Sequence, residues 1–219
     1  MINQLIDHTY LKQEGTLDQI TQLCQEAVTH QFWSVCIHPY WVPDAAKLTQ
    51  DSPVRVCTVV GFPLGANLSR TKVHETADAI HAGATEIDMV INIGAALEGH
   101  WNFIEHEIHE IVSAADSHLV KVILETASLS PEQIKSACHC AENAGAGFVK
   151  TSTGFGKGGA TVEAVELMKA SVSENLGIKA SGGIKSADQA QAMIKAGATR
   201  LGTSSGIAII QGSQSQSDY

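Results

Sequence analysis

Short apolar segments alternate with longer amphipathic segments along the whole chain of 219 residues. The short segments are rich in β-branched residues and apolar almost throughout, which is typical of strands covered on both faces. They recur at intervals of roughly 28 residues, a length that accommodates one strand, one helix and the loops between them. The eight predicted strands are residues 5–9, 34–38, 55–61, 86–92, 119–126, 148–153, 178–181 and 200–203.

Amphipathic segments with helix-start signals fill the intervals between the strands. Thr16 with Gln19, and Ser130 with Gln133, match the capping-box pattern, and Pro131 stands at the first helical position, where proline is favoured. The predicted helices are residues 17–30, 43–48, 69–81, 101–115, 162–172 and 187–195, with one more that begins at residue 131.

A helix-to-strand junction occurs three times, in residues 81–88, 143–150 and 195–202. Each copy contains Ala-Gly-Ala, in which the glycine suits the left-handed conformation that ends a helix. Strict alternation of strand and helix predicts parallel strands, and eight units predict a closed (β/α)8 TIM barrel, with an open doubly wound sheet as the alternative. We expect one barrel domain over residues 1–210 and a polar tail over residues 211–219.

The composition is that of a globular protein with its own core, since 44% of the residues are hydrophobic and 17% are charged. The formal net charge of −9 argues against a nucleic-acid-binding protein, because such proteins are basic. No apolar stretch approaches the ~18 residues of a membrane span, and no signal-peptide pattern opens the sequence. Five cysteines without a framework spacing indicate reduced thiols. We therefore expect a cytoplasmic protein with neither nucleic-acid nor membrane partners.

Three charged residues, Asp88, Lys150 and Lys179, lie inside apolar predicted strands. Lysine and aspartate are almost never fully buried without a partner, so they either form structural ion pairs or converge on the open end of the barrel. A second ammonium nearby, together with partial desolvation, lowers the pKa of a lysine amine. Such an amine attacks carbonyls to form a Schiff base, and a neighbouring carboxylate moves protons. Lys121 is a further strand lysine, and we expect it to enter the interior and pair with Glu125 or Asp88.

Turns rich in glycine and hydroxyl residues follow the last three strands, at residues 151–159, 181–186 and 202–206. In barrels, the loops after strands seven and eight often bind phosphate through backbone amides, and Lys185 adds positive charge there. His106 and His109 share a helix without the spacing of a zinc motif, so we expect no metal site.

Eight sequence blocks, one for each strand, resemble the deoxyribose-phosphate aldolase family. The blocks are DHT (7–9), VCIHP (35–39), VGFPLG (60–65), EIDMVIN (86–92), KVILET (121–126), FVKTSTGF (148–155), KASGGI (179–184) and GTSS (202–205). The resemblance implies a (β/α)8 fold and a class I aldolase of deoxyribonucleotide catabolism that needs no cofactor. Such an enzyme cleaves 2-deoxy-D-ribose 5-phosphate reversibly to D-glyceraldehyde 3-phosphate and acetaldehyde through a lysine Schiff base.

The resemblance also implies roles for individual residues. Lys150 matches the Schiff-base lysine, Lys179 the second lysine and Asp88 the proton-relay carboxylate. Tyr219 is a candidate proton carrier, since some members end in such a tyrosine. Lys157 stands where threonine is frequent, and it either adds a phosphate contact or faces solvent. The implied substrate-binding positions are Asp7, Thr9, Thr153, Gly154, Gly182, Gly183, Ile184, Lys185, Gly202, Ser204 and Ser205.

Two other functions stay open for this pattern of residues. One is a phosphate-binding barrel isomerase that uses Asp88 as a base without a covalent step, and the other is a protein that binds a sugar phosphate without turnover. Barrel enzymes often self-associate as homo-oligomers, but no segment of this sequence identifies an interface.

Overall fold

The computed structural model describes residues 2–213, which form a closed barrel of eight parallel strands in sequence order. The predicted (β/α)8 barrel is thereby confirmed, and the open doubly wound sheet is wrong. The strands are β1 (Ile6–Tyr10), β2 (Ser34–Ile37), β3 (Arg55–Val60), β4 (Glu86–Val90), β5 (Leu119–Ile123), β6 (Phe148–Lys150), β7 (Gly177–Ser181) and β8 (Arg200–Thr203).

Helices surround the barrel and connect successive strands. Those among the described residues are α1 (Leu17–Thr29), α2 (Val42–Thr49), α3 (Ser69–His81), α4 (Ile93–Leu97), α5 (Trp101–Ala114), α6 (Pro131–Asn143), α7 (Val162–Ala170), α8 (Ala187–Lys195) and α9 (Gly206–Ile210). The capping box of α6 forms as predicted, because the Ser130 amide donates to Gln133 Oε1 at 2.9 Å and the Gln133 amide donates to Ser130 Oγ at 3.3 Å. The short helices α4 and α9 were not predicted, because five residues are too few for a periodic pattern.

The outer face of the barrel and the inner faces of the helices form the hydrophobic core. Val35, Ile87 and Val149 are fully buried strand residues that belong to this core, as do Ile108 of α5 and Ile134 of α6. Burial of apolar area stabilises the fold at about 25 cal/mol per Å². The core therefore lies between barrel and helices.

The barrel interior, in contrast, is charged at its centre. Strand side chains alternate between the two faces, so Glu86 and Asp88 point to the same side. Asp88 is paired in register with Lys121 of β5, and Lys150 of β6 is paired with Lys179 of β7. The pair β4–β5 therefore places opposite charges next to each other, and the pair β6–β7 places two lysines next to each other.

Several strands end earlier than predicted at their carboxyl ends. Strand β6 stops at Lys150 and β5 at Ile123, while the predictions continued to residues 153 and 126. Glu125 explains the second difference, because its φ of 56° and ψ of 60° place it in the left-handed region, where a strand cannot continue. Within residues 2–213, no helix is both long and apolar enough to cross a membrane.

Candidate active site

Three strands bring Asp88, Lys150 and Lys179 together. Asp88 Oδ2 accepts a hydrogen bond from Lys150 Nζ at 2.8 Å and another from Lys179 Nζ at 2.7 Å. Asp88 and Lys179 are fully buried, whereas 3% of Lys150 is exposed. The two lysine nitrogens therefore share one acceptor oxygen, which holds them close together.

Six charged side chains close a ring of alternating sign inside the barrel. In order around the ring they are Asp88, Lys179, Asp7, Arg200, Glu86 and Lys121. Nitrogen-to-oxygen distances between neighbours run from 2.5 to 3.1 Å. Charge-assisted contacts of this length are the strong kind, and each member of the ring has a partner on both sides.

The ring is electrically balanced without Lys150. It holds three carboxylates and three cations, and Lys150 is a fourth cation that bonds to Asp88 from outside the ring. A buried charge without a compensating partner is costly. The six ring members therefore carry no net formal charge, and Lys150 is one further basic group bonded to them through Asp88.

Neighbouring charges determine the protonation states of Asp88 and Lys179. Burial alone raises the pKa of Asp88, but Lys121, Lys150 and Lys179 hold it well below its usual range. Burial alone lowers the pKa of Lys179, but Asp7 and Asp88 raise it above its usual range. At neutral pH, Asp88 is therefore a carboxylate and Lys179 an ammonium.

Lys121 enters the interior, and only one of its two expected partners is correct. Its Nζ lies 2.9 Å from Asp88 Oδ1 and 2.6 Å from Glu86 Oε2. Glu125 lies elsewhere, against Thr153. Glu86 and Arg200, which were not predicted as site residues, complete the ring. In the sequence, each is a charged residue at the start of an apolar strand. Whether two such residues meet inside the barrel depends on the strand register, which the sequence does not show.

A cavity of about 290 Å³ opens beside Lys150, at the carboxyl ends of the strands. It is lined by ten of the predicted site residues, by Ser181 and Thr203 of the predicted phosphate turns, and by Leu11, which was not predicted there. The ten are Thr9, Lys150, Thr153, Gly154, Gly182, Gly183, Ile184, Lys185, Gly202 and Ser204.

The remaining predicted residues lie apart from the cavity lining. Asp7, Asp88 and Lys179 sit in the ring beside it. Ser205 is buried, and among the described residues its Oγ has no hydrogen-bond partner. The predicted proton carrier Tyr219 lies outside the described residues 2–213.

Glycine is required where the turns approach the cavity. Gly182 has a φ of 89° and Gly183 a φ of 79°, a region that other residues rarely adopt. A Cβ at Gly202 would lie 3.0 Å from Lys179 Cε. Because these glycines have no side chains, the backbone amides of the turns stay accessible. The missing side chain at Gly202 also leaves room for Lys179.

Two buried groups bring metal-ligand atoms within 4.8 Å of one another. One comprises Cys36, Cys57 and Asp88, and the other contains Asp7 and Glu86 with the same Cys57. Each of these carboxylates already contacts ring cations. Cations at ligand distance repel a metal ion, so neither group fits one in this state.

Comparison with known proteins identifies relatives over the full length. The model of the DeoC/LacD family aldolase matches residues 1–212. A deoxyribose-phosphate aldolase from Exiguobacterium sp. is 55% identical over 98% of this chain and 97% of its own. Another, from Streptococcus mutans, is 53% identical over 100% of this chain and 99% of its own.

Solved structures agree with the sequence relatives. The deoxyribose phosphate aldolase of Aeropyrum pernix, described as tetrameric, superposes with a TM-score of 0.89 at 31% identity, over 96% of this chain and 89% of its own. A structure described as QR15, an aldolase, has a TM-score of 0.92 at 40% identity, over 96% of this chain and 94% of its own. With the family model matching almost the whole barrel, the chain belongs to the DeoC/LacD aldolase family.

Proposed function

We propose that the protein is a class I aldolase that cleaves 2-deoxy-D-ribose 5-phosphate to D-glyceraldehyde 3-phosphate and acetaldehyde, with Lys150 as the Schiff-base residue. The single observation that carries the proposal is the position of Lys150. It lines the cavity, and its amine bonds to the carboxylate that also holds the buried ammonium of Lys179. The names of the full-length relatives supply the substrate.

The charge ring supports Lys150 as the nucleophile. Three ring cations are each held between two carboxylates, whereas Lys150 bonds to Asp88 alone among the described carboxylates. Lys150 is thus the lysine of the cluster with the fewest carboxylate partners, and it is the one that lines the cavity. An uncharged amine is the form that attacks a carbonyl.

In the first half of the reaction, the Lys150 amine attacks the aldehyde carbon of the open-chain sugar phosphate. The resulting carbinolamine loses water and becomes a protonated Schiff base. Asp88 and Lys179 move the protons, since Asp88 Oδ2 accepts hydrogen bonds from both the Lys150 amine and Lys179 Nζ.

In the second half, the C3 hydroxyl loses its proton to Asp88 through a water molecule, and the C2–C3 bond breaks. Its electron pair moves to C2 and the iminium nitrogen, which gives an enamine, and glyceraldehyde 3-phosphate leaves. The enamine takes a proton at C2, and hydrolysis then frees acetaldehyde and restores Lys150. The water lost in dehydration is matched by the water used in hydrolysis, and no step is a net oxidation or reduction, so the sequence balances.

The phosphate is assigned to the turns after β7 and β8. They place Gly182, Gly183 and Ser204 around the cavity, and Lys185 adds a positive charge at its edge. Backbone amides in glycine turns approach an anion closely because no Cβ intervenes.

Reduction with borohydride in the presence of acetaldehyde tests the proposal. A Schiff base becomes a stable two-carbon adduct, which peptide mapping should place on Lys150. Lys150→Arg should abolish both the label and the cleavage, while Lys157→Arg, at an exposed lysine, should keep both. A label on Lys179 would contradict the assignment of the nucleophile.

The same experiment separates the alternatives. An isomerase that uses Asp88 as a base without a covalent step would give no adduct and would retain turnover in Lys150→Arg. A protein that only binds sugar phosphates would release no glyceraldehyde 3-phosphate in a coupled assay.

We also propose a cytoplasmic homo-oligomer. Five free cysteines support a reducing compartment, and the tetramer described for the Aeropyrum pernix relative supports self-association. Light scattering should give a mass that is a multiple of 23.2 kDa, and a mass equal to one chain would contradict the oligomer.

A further inference from the structure

Glu125, at the carboxyl end of β5, has two unusual features that the proposed reaction does not use. Its backbone has a φ of 56° and a ψ of 60°, although it is not a glycine. Glu125 is only 3% exposed, and its Oε1 has no hydrogen-bond partner among the described residues. Strained backbone and an unpaired buried carboxylate oxygen both cost stability, and they persist mostly at functional sites.

The carboxylate of Glu125 lies against the segment that leaves β6. Thr153 donates to Glu125 Oε2 from its hydroxyl at 2.5 Å and from its amide at 3.3 Å. Thr153 Oγ1 in turn accepts from the amide of Phe155 at 3.0 Å. Gly156 packs so closely that a Cβ there would lie 2.7 Å from Glu125 Cδ. The turn from Thr153 to Gly156 is therefore folded around this carboxylate.

That turn borders the cavity and supports its far wall. Thr153 and Gly154 line the cavity beside Lys150. Further along the same segment, Ala160 donates to the carbonyl of Gly182 at 3.0 Å. A Cβ at Gly182 would lie 2.9 Å from Gly159 Cα. The segment after β6 thus packs against the glycine turn assigned to the phosphate. Glu125 contacts Thr153, at the start of that segment.

We propose that Glu125 is a positioning residue that determines specificity for phosphorylated substrates. By fixing the turn from Thr153 to Gly156, it sets the distance between Lys150 and the turn at Gly182. The inference rests on the proposed function. Glu125 does not line the cavity, and its side chain accepts hydrogen bonds from Thr153 of the turn. It therefore governs binding of the phosphate-bearing half and leaves Schiff-base chemistry intact.

Kinetics with two sugars test this role. Glu125→Ala should lower kcat/KM for 2-deoxyribose 5-phosphate by about tenfold or more, mainly through KM, as expected when hydrogen bonds to a charged group are lost. For unphosphorylated 2-deoxyribose, kcat/KM should change by less than about threefold, which is within ~0.65 kcal/mol. The rate of Lys150 labelling by acetaldehyde and borohydride should not change. Glu166→Ala, at an exposed glutamate of α7, should leave all three quantities unchanged.

Conservative variants separate positioning from folding. Glu125→Gln keeps the shape and one acceptor oxygen, so it should restore most of the discrimination, whereas Glu125→Asp withdraws the carboxylate and should resemble alanine. If Glu125→Ala does not fold, the aspartate variant decides the result. Equal losses on both sugars, or no loss on either, would overturn the inference. Failure of the wild type to cleave the phosphorylated sugar would instead overturn the proposed function.

Discussion

Asp88 has two oxygens that serve different groups of partners. Oδ2 faces Lys150 and Lys179, whereas Oδ1 accepts from Lys121 at 2.9 Å and from the Cys57 thiol at 3.2 Å. The Asp88 carboxylate therefore links the Lys150 amine, through hydrogen bonds, to Lys121 and the other charged residues of the ring. Because the surrounding lysines keep the pKa of Asp88 low against the effect of burial, it acts as a hydrogen-bond acceptor in the resting state.

Replacement of Asp88 by asparagine keeps the shape and removes the charge. We expect turnover to fall by about 10²–10⁴-fold, the range for loss of a general acid–base group. Borohydride labelling of Lys150 should slow as well, because excess positive charge in the ring opposes carbinolamine dehydration. Asp78→Asn, at an exposed aspartate of α3, is the matched control. Turnover within threefold of the wild type would exclude Asp88 from proton transfer.

At the scale of elements, strand and helix positions follow from the sequence, while the loops that carry the chemistry do not. Hydrophobic periodicity located all eight strands, because each is covered on both faces. It failed at Glu125, whose backbone is left-handed, and beyond Lys150, where the chain leaves the strand and Thr153 lines the cavity. A left-handed glutamate has no sequence signal, because only its tertiary contacts hold it there.

The glycine turn after β7 offers a matched pair of substitutions. Gly182 and Gly183 both have positive φ, so alanine is strained at either position by about 1 kcal/mol. Only at Gly182 would the new Cβ meet backbone, 2.9 Å from Gly159 Cα, whereas at Gly183 nothing lies within 4 Å. We expect Gly182→Ala to be the more destabilising variant in urea unfolding and to raise KM more. Equal effects would mean that backbone conformation alone sets the requirement.

At the scale of the whole molecule, the ring connects strands β1, β4, β5, β7 and β8 through side chains distant in sequence. Asp7 and Arg200 are separated by 193 positions in the sequence, and Arg200 Nη1 donates to Asp7 Oδ1 at 2.9 Å. The sequence indicated Asp88, Lys150 and Lys179, because charges inside apolar strands are conspicuous. The roles of Glu86 and Arg200 were not predictable, since they follow from closure and strand register. Arg200 lies over the ring of Trp33 at 4.3 Å, and Trp33 Nε1 donates to Glu86 at 2.7 Å.

A double-mutant cycle at Glu86 and Arg200 tests whether the ring acts as one balanced unit. Glu86→Gln leaves Arg200 and Lys121 with one carboxylate fewer, and should cost about 3–5 kcal/mol, as for a broken buried ion pair. Adding Arg200→Met removes one cation and restores the balance, so the double variant should lose about 0.5–3 kcal/mol less than the sum of the two singles. Urea unfolding measures all four proteins. Glu86→Gln combined with Arg70→Met, at an exposed arginine of α3, should be additive, and additivity at Arg200 as well would mean that the charges act independently.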